Sequence, residues 1–112
     1  MQWEKTKENN RYTVMELDAG DYTISLTTLG GHRATIGHRH DDEEYLIFGG
    51  YGAIITDTAF IEAEPGTLFN VIAEEHHQVI NYNKEPLRFI GIYKKGISIV
   101  HGKPEEPPSE VA

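Results

Sequence analysis

Turn residues recur about every eight to twelve positions along this chain, and that rhythm limits what it can become. Asp18-Ala19-Gly20-Asp21, Gly30-Gly31, Gly49-Gly50 and Pro65-Gly66 each interrupt short runs rich in β-branched and aromatic side chains. Such runs favour strands, and glycine supplies the tight turns between them. The strand candidates are Tyr12–Leu17, Tyr22–Leu29, Ala34–Ile36 leading into His38, Tyr45–Phe48, Ala53–Thr56, Thr67–Ile72, His77–Tyr82 and Leu87–Tyr93, with Ile97–Val100 as a last one. No stretch carries a helical period, and no repeat of fixed period is present. An all-β sandwich or barrel is the expectation.

At 112 residues the chain is long enough for one hydrophobic core and too short for two. The expected division is a single barrel over residues 1–100, whose first nine residues form an N-terminal arm, and a Pro/Glu-rich tail over 101–112. Three prolines and few apolar side chains mark that tail as solvated and flexible. No apolar run approaches the ~18 residues of a membrane span. Met1–Glu8 lacks the apolar core of a secretory signal, which gives a cytoplasmic expectation. Eighteen acidic against ten basic residues leave a net charge of −8, which repels a phosphate backbone, so nucleic acid is not an expected partner. The absence of cysteine excludes disulfides and thiolate metal sites.

Metal-ligand side chains are concentrated in Gly37-His38-Arg39-His40-Asp41-Asp42-Glu43-Glu44 and again at His76-His77. Residues at i and i+2 of a strand share a face, so Ile36, His38 and His40 look inward and Arg39 looks outward. A carboxylate following His40 and a third imidazole from a distant strand complete a set of three nitrogens and one oxygen. That set suits one divalent transition metal, with iron, manganese, nickel, zinc and copper all admissible. His76 falls on the opposite face from His77, His32 belongs to a loop and His101 to the tail. Arg33 and Arg39 have outward parity, Arg88 is expected with them, and Leu46, Phe48, Val79 and Phe69 are expected to line the interior.

These residues resemble those of the small single-domain cupins, including the conserved-barrel type and the mannose-6-phosphate isomerase-like cupins. The first cupin motif places a glycine before His-x-His, then a glutamate after three or four residues, then another glycine. His38, His40 and Glu44 match its ligands, with Glu43 as the rival carboxylate, while Gly31, Gly50 and Gly52 miss the glycine positions by one. The second motif runs from a glycine through Pro-x-Gly to a histidine and an asparagine. Gly66, His77 and Asn81 fit it, but Ile72-Ala73-Glu74 stands where Pro-x-Gly belongs, so a differently built turn is expected there.

The resemblance covers roughly residues 20 to 95 and implies a double-stranded β-helix, the jelly-roll barrel, with metal held by His38, His40, Glu44 and His77. It implies less about function, because this fold serves many chemistries. A metal-dependent enzyme acting on a small polar metabolite is the leading expectation, in the manner of a sugar or sugar-phosphate isomerase, with the metal as Lewis acid and Glu44 moving protons. The alternatives are an iron-dependent dioxygenase and a non-catalytic small-molecule or metal-binding module. A homodimer is expected from family habit and from the tendency of exposed strand edges to pair.

Overall fold

The computed structural model describes residues 2–111. Ten strands account for its regular structure: β1 (Glu4–Glu8), β2 (Tyr12–Ala19), β3 (Tyr22–Leu29), β4 (Arg33–Ala34), β5 (Glu44–Phe48), β6 (Gly52–Thr56), β7 (Phe60–Ala63), β8 (Leu68–Val71), β9 (His77–Asn81) and β10 (Leu87–Lys94). They form a six-stranded sheet in the order β1-β2-β3-β10-β5-β8 and a four-stranded sheet in the order β4-β9-β6-β7. All pairings are antiparallel. Among the described residues there is no helix long and apolar enough to cross a membrane.

Two strands were not expected. The β1 sequence Glu-Lys-Thr-Lys-Glu is exposed along its whole length, so it carries no apolar alternation to betray a strand. Backbone pairing to β2 alone defines it. The other is β7, an edge strand that exposes Phe60 and Glu62 and buries only Ala63. Conversely, β4 is shorter than expected, and Ile97–Val100 contributes a single bridge, from Ile99 to His40, rather than a strand.

The two sheets enclose a core of Tyr12, Leu29, Leu46, Phe48, Ile54, Ala63, Val71, Val79, Leu87 and Phe89, with Val14, Ile36 and Phe69 against it. Burying a large apolar side chain contributes about 1.5–3 kcal/mol. Asn81 is completely buried among them, and its amide is satisfied. It donates to the carbonyls of Leu29, Gly30 and Glu85 at 3.2, 3.1 and 2.8 Å and accepts from the Asn83 amide at 3.0 Å. The asparagine of the second motif thus ties β9 to the ends of β3 and to the β9–β10 turn.

The outer face of the larger sheet is also apolar. Cross-strand partners run without interruption through Met15, Leu26, Ile90, Ile47 and Leu68. A second row runs through Leu17, Ile24, Ile92 and Tyr45.

The C-terminal segment makes backbone contacts with the barrel: Glu105 and Gly37 exchange hydrogen bonds of 2.6 and 3.0 Å, and Val111 donates to the His32 carbonyl at 2.8 Å. Arg11 and Arg33 pair with Glu106 and Glu110. Apart from the buried Pro107 and the half-buried Val111, its described side chains are exposed.

Candidate metal centre

His38 and His40 sit on an extended strap between β4 and β5 rather than on a continuous strand. The strap pairs with β9 at isolated points. Thr35 donates its amide to the Val79 carbonyl and accepts from the Val79 amide through its hydroxyl, both at 2.9 Å. His38 and His77 then exchange hydrogen bonds of 3.2 and 3.0 Å, which places their side chains opposite one another on one face. The alternation expected of a strand survives at His38 and His40 although the ladder does not.

The turn before His77 is built around Glu74, whose φ is +66° in the slot where the cupin motif has its second glycine. Its amide donates to the His40 carbonyl at 2.7 Å, so the left-handed residue holds the strap against β9. Arg39 points outward, as its parity requires. It grips Asp57 with two hydrogen bonds of 2.7 Å and donates to the Glu74 carbonyl at 3.0 Å, clamping the strap from outside. The Arg39 guanidinium holds the Asp57 carboxyl down at about 2, with help from the His76 amide.

Inside, three imidazoles converge. Ring centroids lie 4.5 Å apart for His38 and His40, 4.4 Å for His38 and His77, and 5.0 Å for His40 and His77. One nitrogen from each falls within 4.8 Å of the others, a group able to hold a metal ion. Glu44, the first residue of β5, sends Oε1 to 3.5 Å from His77 Nε2 and 3.9 Å from His40 Nδ1. Its side chain is buried, whereas Glu43 is exposed and accepts a hydrogen bond from Asn70 on the outside. Of the two rival carboxylates, Glu44 is the one among the histidines.

Backbone carbonyls select the tautomers. His38 Nδ1 lies 2.8 Å from the Ile36 carbonyl and His77 Nδ1 lies 3.3 Å from that of Glu75. A carbonyl only accepts, so Nδ1 carries the proton and Nε2 keeps its lone pair for a metal. His40 Nδ1 is buried with no hydrogen-bond partner. An orphaned buried nitrogen beside a carboxylate and two oriented imidazoles fits a divalent cation of the transition series. Burial, reinforced by the neighbouring His77 and His40, pushes His38 down to about 3; burial also lowers His40, against the pull of Glu44. Both rings are therefore neutral and ready to ligate at neutral pH.

Gly91 of β10 is a site residue that motif reading missed. A Cβ at Gly91 would lie 2.6 Å from Glu44 Oε2 and 2.7 Å from Ser25 Oγ, so the glycine makes room for the carboxylate. Nothing in the local sequence reveals this, because the crowding comes from β3 and β5. The other expected positions lie elsewhere. His76 faces Glu105 at 3.3 Å, His101 contacts Glu74, and His32 occupies a loop at φ +56°. Phe48 and Phe69 pack in the core and not at the cavity.

The histidines open into a cavity of about 360 Å³ that also receives Lys7, Glu16, Tyr93, Leu46, Val79 and Phe89. The Tyr93 hydroxyl donates to the Glu16 carboxylate across β10 and β2. Burial and that hydrogen bond push the Tyr93 hydroxyl well above its ordinary value, so it stays protonated.

No family model and no curated protein matches the sequence. Solved structures do match. The plu4264 protein of Photorhabdus luminescens superposes with a TM-score of 0.73 at 19% identity, over 86% of this chain and 85% of that one. A Cupin 2 conserved barrel domain protein from Salinispora arenicola gives a TM-score of 0.72 at 17% identity, over 83% and 82%. This chain has the cupin fold. Oxalate decarboxylase of Bacillus subtilis, which has Mn(II) centres, gives a TM-score of 0.76 at 18% identity; 87% of this chain aligns with 30% of that longer one.

Proposed function

We propose that this cupin is a metal-dependent enzyme acting on a small polar metabolite bound in the histidine cavity. The observation that carries the reading is the convergence of His38, His40 and His77 on Glu44 at the edge of a cavity about 360 Å³ in volume. That volume suits a small metabolite. A divalent metal held there would act as a Lewis acid on a carbonyl oxygen, the chemistry of a sugar or sugar-phosphate isomerase. Glu44, as a ligand, is a poor base. The Glu16 carboxylate stands outside the ligand set and takes the proton from the carbon beside the carbonyl, while Tyr93 keeps the proton it donates to Glu16 and orients that base. This pair, which the motifs do not contain, favours an enzyme over a module that only binds.

Hydrogen exchange tests the reading. Short hydroxyaldehydes and hydroxyketones incubated in heavy water with the metal-loaded protein are expected to gain deuterium beside the carbonyl, visible by proton NMR, and Glu16→Gln is expected to abolish the gain. Oxygen uptake that depends on these substrates, with no exchange, would replace the reading with the dioxygenase.

The homodimer is proposed on the outer face of the larger sheet. Ile47 and Leu68 are 36% and 62% exposed within an apolar ladder bordered by Arg88 and Lys94 along β10 and by Lys5, the partner of Met15, on β1. A central strip without charge is self-complementary about a two-fold axis. Ile90→Asp is expected to convert the dimer to monomer by light scattering; an unchanged mass would remove this face from consideration.

A further inference from the structure

Among the described residues that line the metal cavity, Lys7 is the one permanent cation, and an irregularity in β1 puts it there. Lys5 pairs with Met15, but the next pair is Lys7 with Val14, leaving Thr6 as an extra residue in a β-bulge. Continued without a break, the ladder would set Thr6 against Val14 and Lys7 against Thr13. Residues opposite one another in an antiparallel pair point to the same side. Val14 lines the cavity whereas Thr13 does not, so the bulge turns Lys7 inward. Bulges at sheet edges commonly re-aim a side chain in this way.

The ammonium is both supported and uncommitted. Its Nζ lies 5.6 Å from the centre of the Tyr12 ring, which shares the cavity face. The lysine ion pairs among the described residues are Lys5 with Glu8, Lys94 with Asp42 and Lys95 with Asp18, so Lys7 is left over. Of the carboxylates with the same inward parity, Glu16 accepts from Tyr93, and Glu4 stands opposite Glu16 at the outer end of β1.

We infer that Lys7 holds an anionic group, a carboxylate or a phosphate, on the ligand of this cavity. The inference rests on the metal-centre reading and adds the charge of the ligand to it. A protein of net charge −8 does not gather anions by long-range attraction, so a local cation decides whether an acid is preferred over its neutral analogue. A lysine contributes a compact point charge that serves carboxylate and phosphate alike.

Calorimetric titration separates the two claims. Cobalt(II) is added first, and the loaded protein is then titrated with lactate, lactamide, glycerol 3-phosphate and glycerol. The parent is expected to prefer one or both anions over the neutral partner, and the pair that shows the preference identifies carboxylate or phosphate. Lys7→Ala is expected to weaken the preferred anion about tenfold, the size of a lost charge-assisted hydrogen bond, with cobalt affinity and the neutral probes unchanged. Lys7→Arg is expected to retain the preference. Equal affinity of the parent for anionic and neutral probes, or an undiminished preference in Lys7→Ala, overturns the assignment and leaves the metal centre standing. A parent that takes up no cobalt, or a His77→Ala protein that takes up as much, overturns the metal centre instead.

Discussion

The two ends of the barrel interior are made from the same strands and do different things. Following the inward face of each strand, β2 runs Glu16, Val14, Tyr12; β3 runs Ser25, Thr27, Leu29; β5 runs Glu44, Leu46, Phe48; and β10 runs Tyr93, Gly91, Phe89, Leu87. On β9 the series is His77, Val79, Asn81. Polar groups gather at one end because the register aligns their strands. At the other end Leu29, Phe48, Leu87 and Asn81 are 2% exposed or less and leave no space for a ligand. One end is the packed core and the other carries the candidate metal centre, although no strand belongs to only one of them.

Substitutions at the closed end test that division most strongly. Phe48 is 1% exposed and stacked on Phe89 with centroids 5.5 Å apart. Phe48→Ala is expected to lower unfolding free energy by about 3–5 kcal/mol in urea titration, through lost burial and the cavity left behind. A loss below about 1 kcal/mol would mean that the closed end is not the stabilising core.

His77→Ala is expected to change affinity more than stability. Metal binding followed by calorimetry should weaken by about 100-fold or more, above the range seen when only an outer partner of a ligand is removed. Gly91→Ala probes the crowding around Glu44. The added methyl must displace either that carboxylate or Ser25, so an overpacking cost of about 1–3 kcal/mol is expected. Metal affinity should fall with it, by about tenfold; full affinity would show that Glu44 need not stay where Gly91 lets it lie.

The most gradual effect is in the pH dependence of the metal-free protein. The folded state holds His38 down from 6.5 to about 3 and lowers His40 as well, so above pH 6.5 both rings are neutral whether the chain is folded or not. As pH falls below 6.5 the unfolded chain takes up protons that the folded one refuses, and stability declines. The His38 contribution levels off near pH 3, and the slope is at most about 1.4 kcal/mol per pH unit for each histidine. Thermal denaturation at stepped pH checks this. His38→Gln should flatten the slope, whereas Phe48→Ala should shift the whole curve and leave the slope intact.

The sequence was enough for the all-β class, for most strands, and for the matching of His38, His40, Glu44, His77 and Asn81 to two motifs, because alternation and spacing are local properties. It could not choose between Glu43 and Glu44. Adjacent strand residues face opposite sides, and which side is inward depends on the register of β5 against β10 and β8. Glu74 was an apparent departure from its motif, yet the tertiary contacts hold it in the left-handed backbone that glycine would adopt freely.

β1, the inward turn of Lys7, the pairing of Glu16 with Tyr93 and the space that Gly91 leaves for Glu44 were decided only by tertiary structure. Each depends on residues far apart in the chain and on one bulge that no composition or period encodes. Spacing along one strand fixes which side chains share a face. Only packing between strands fixes what they meet there.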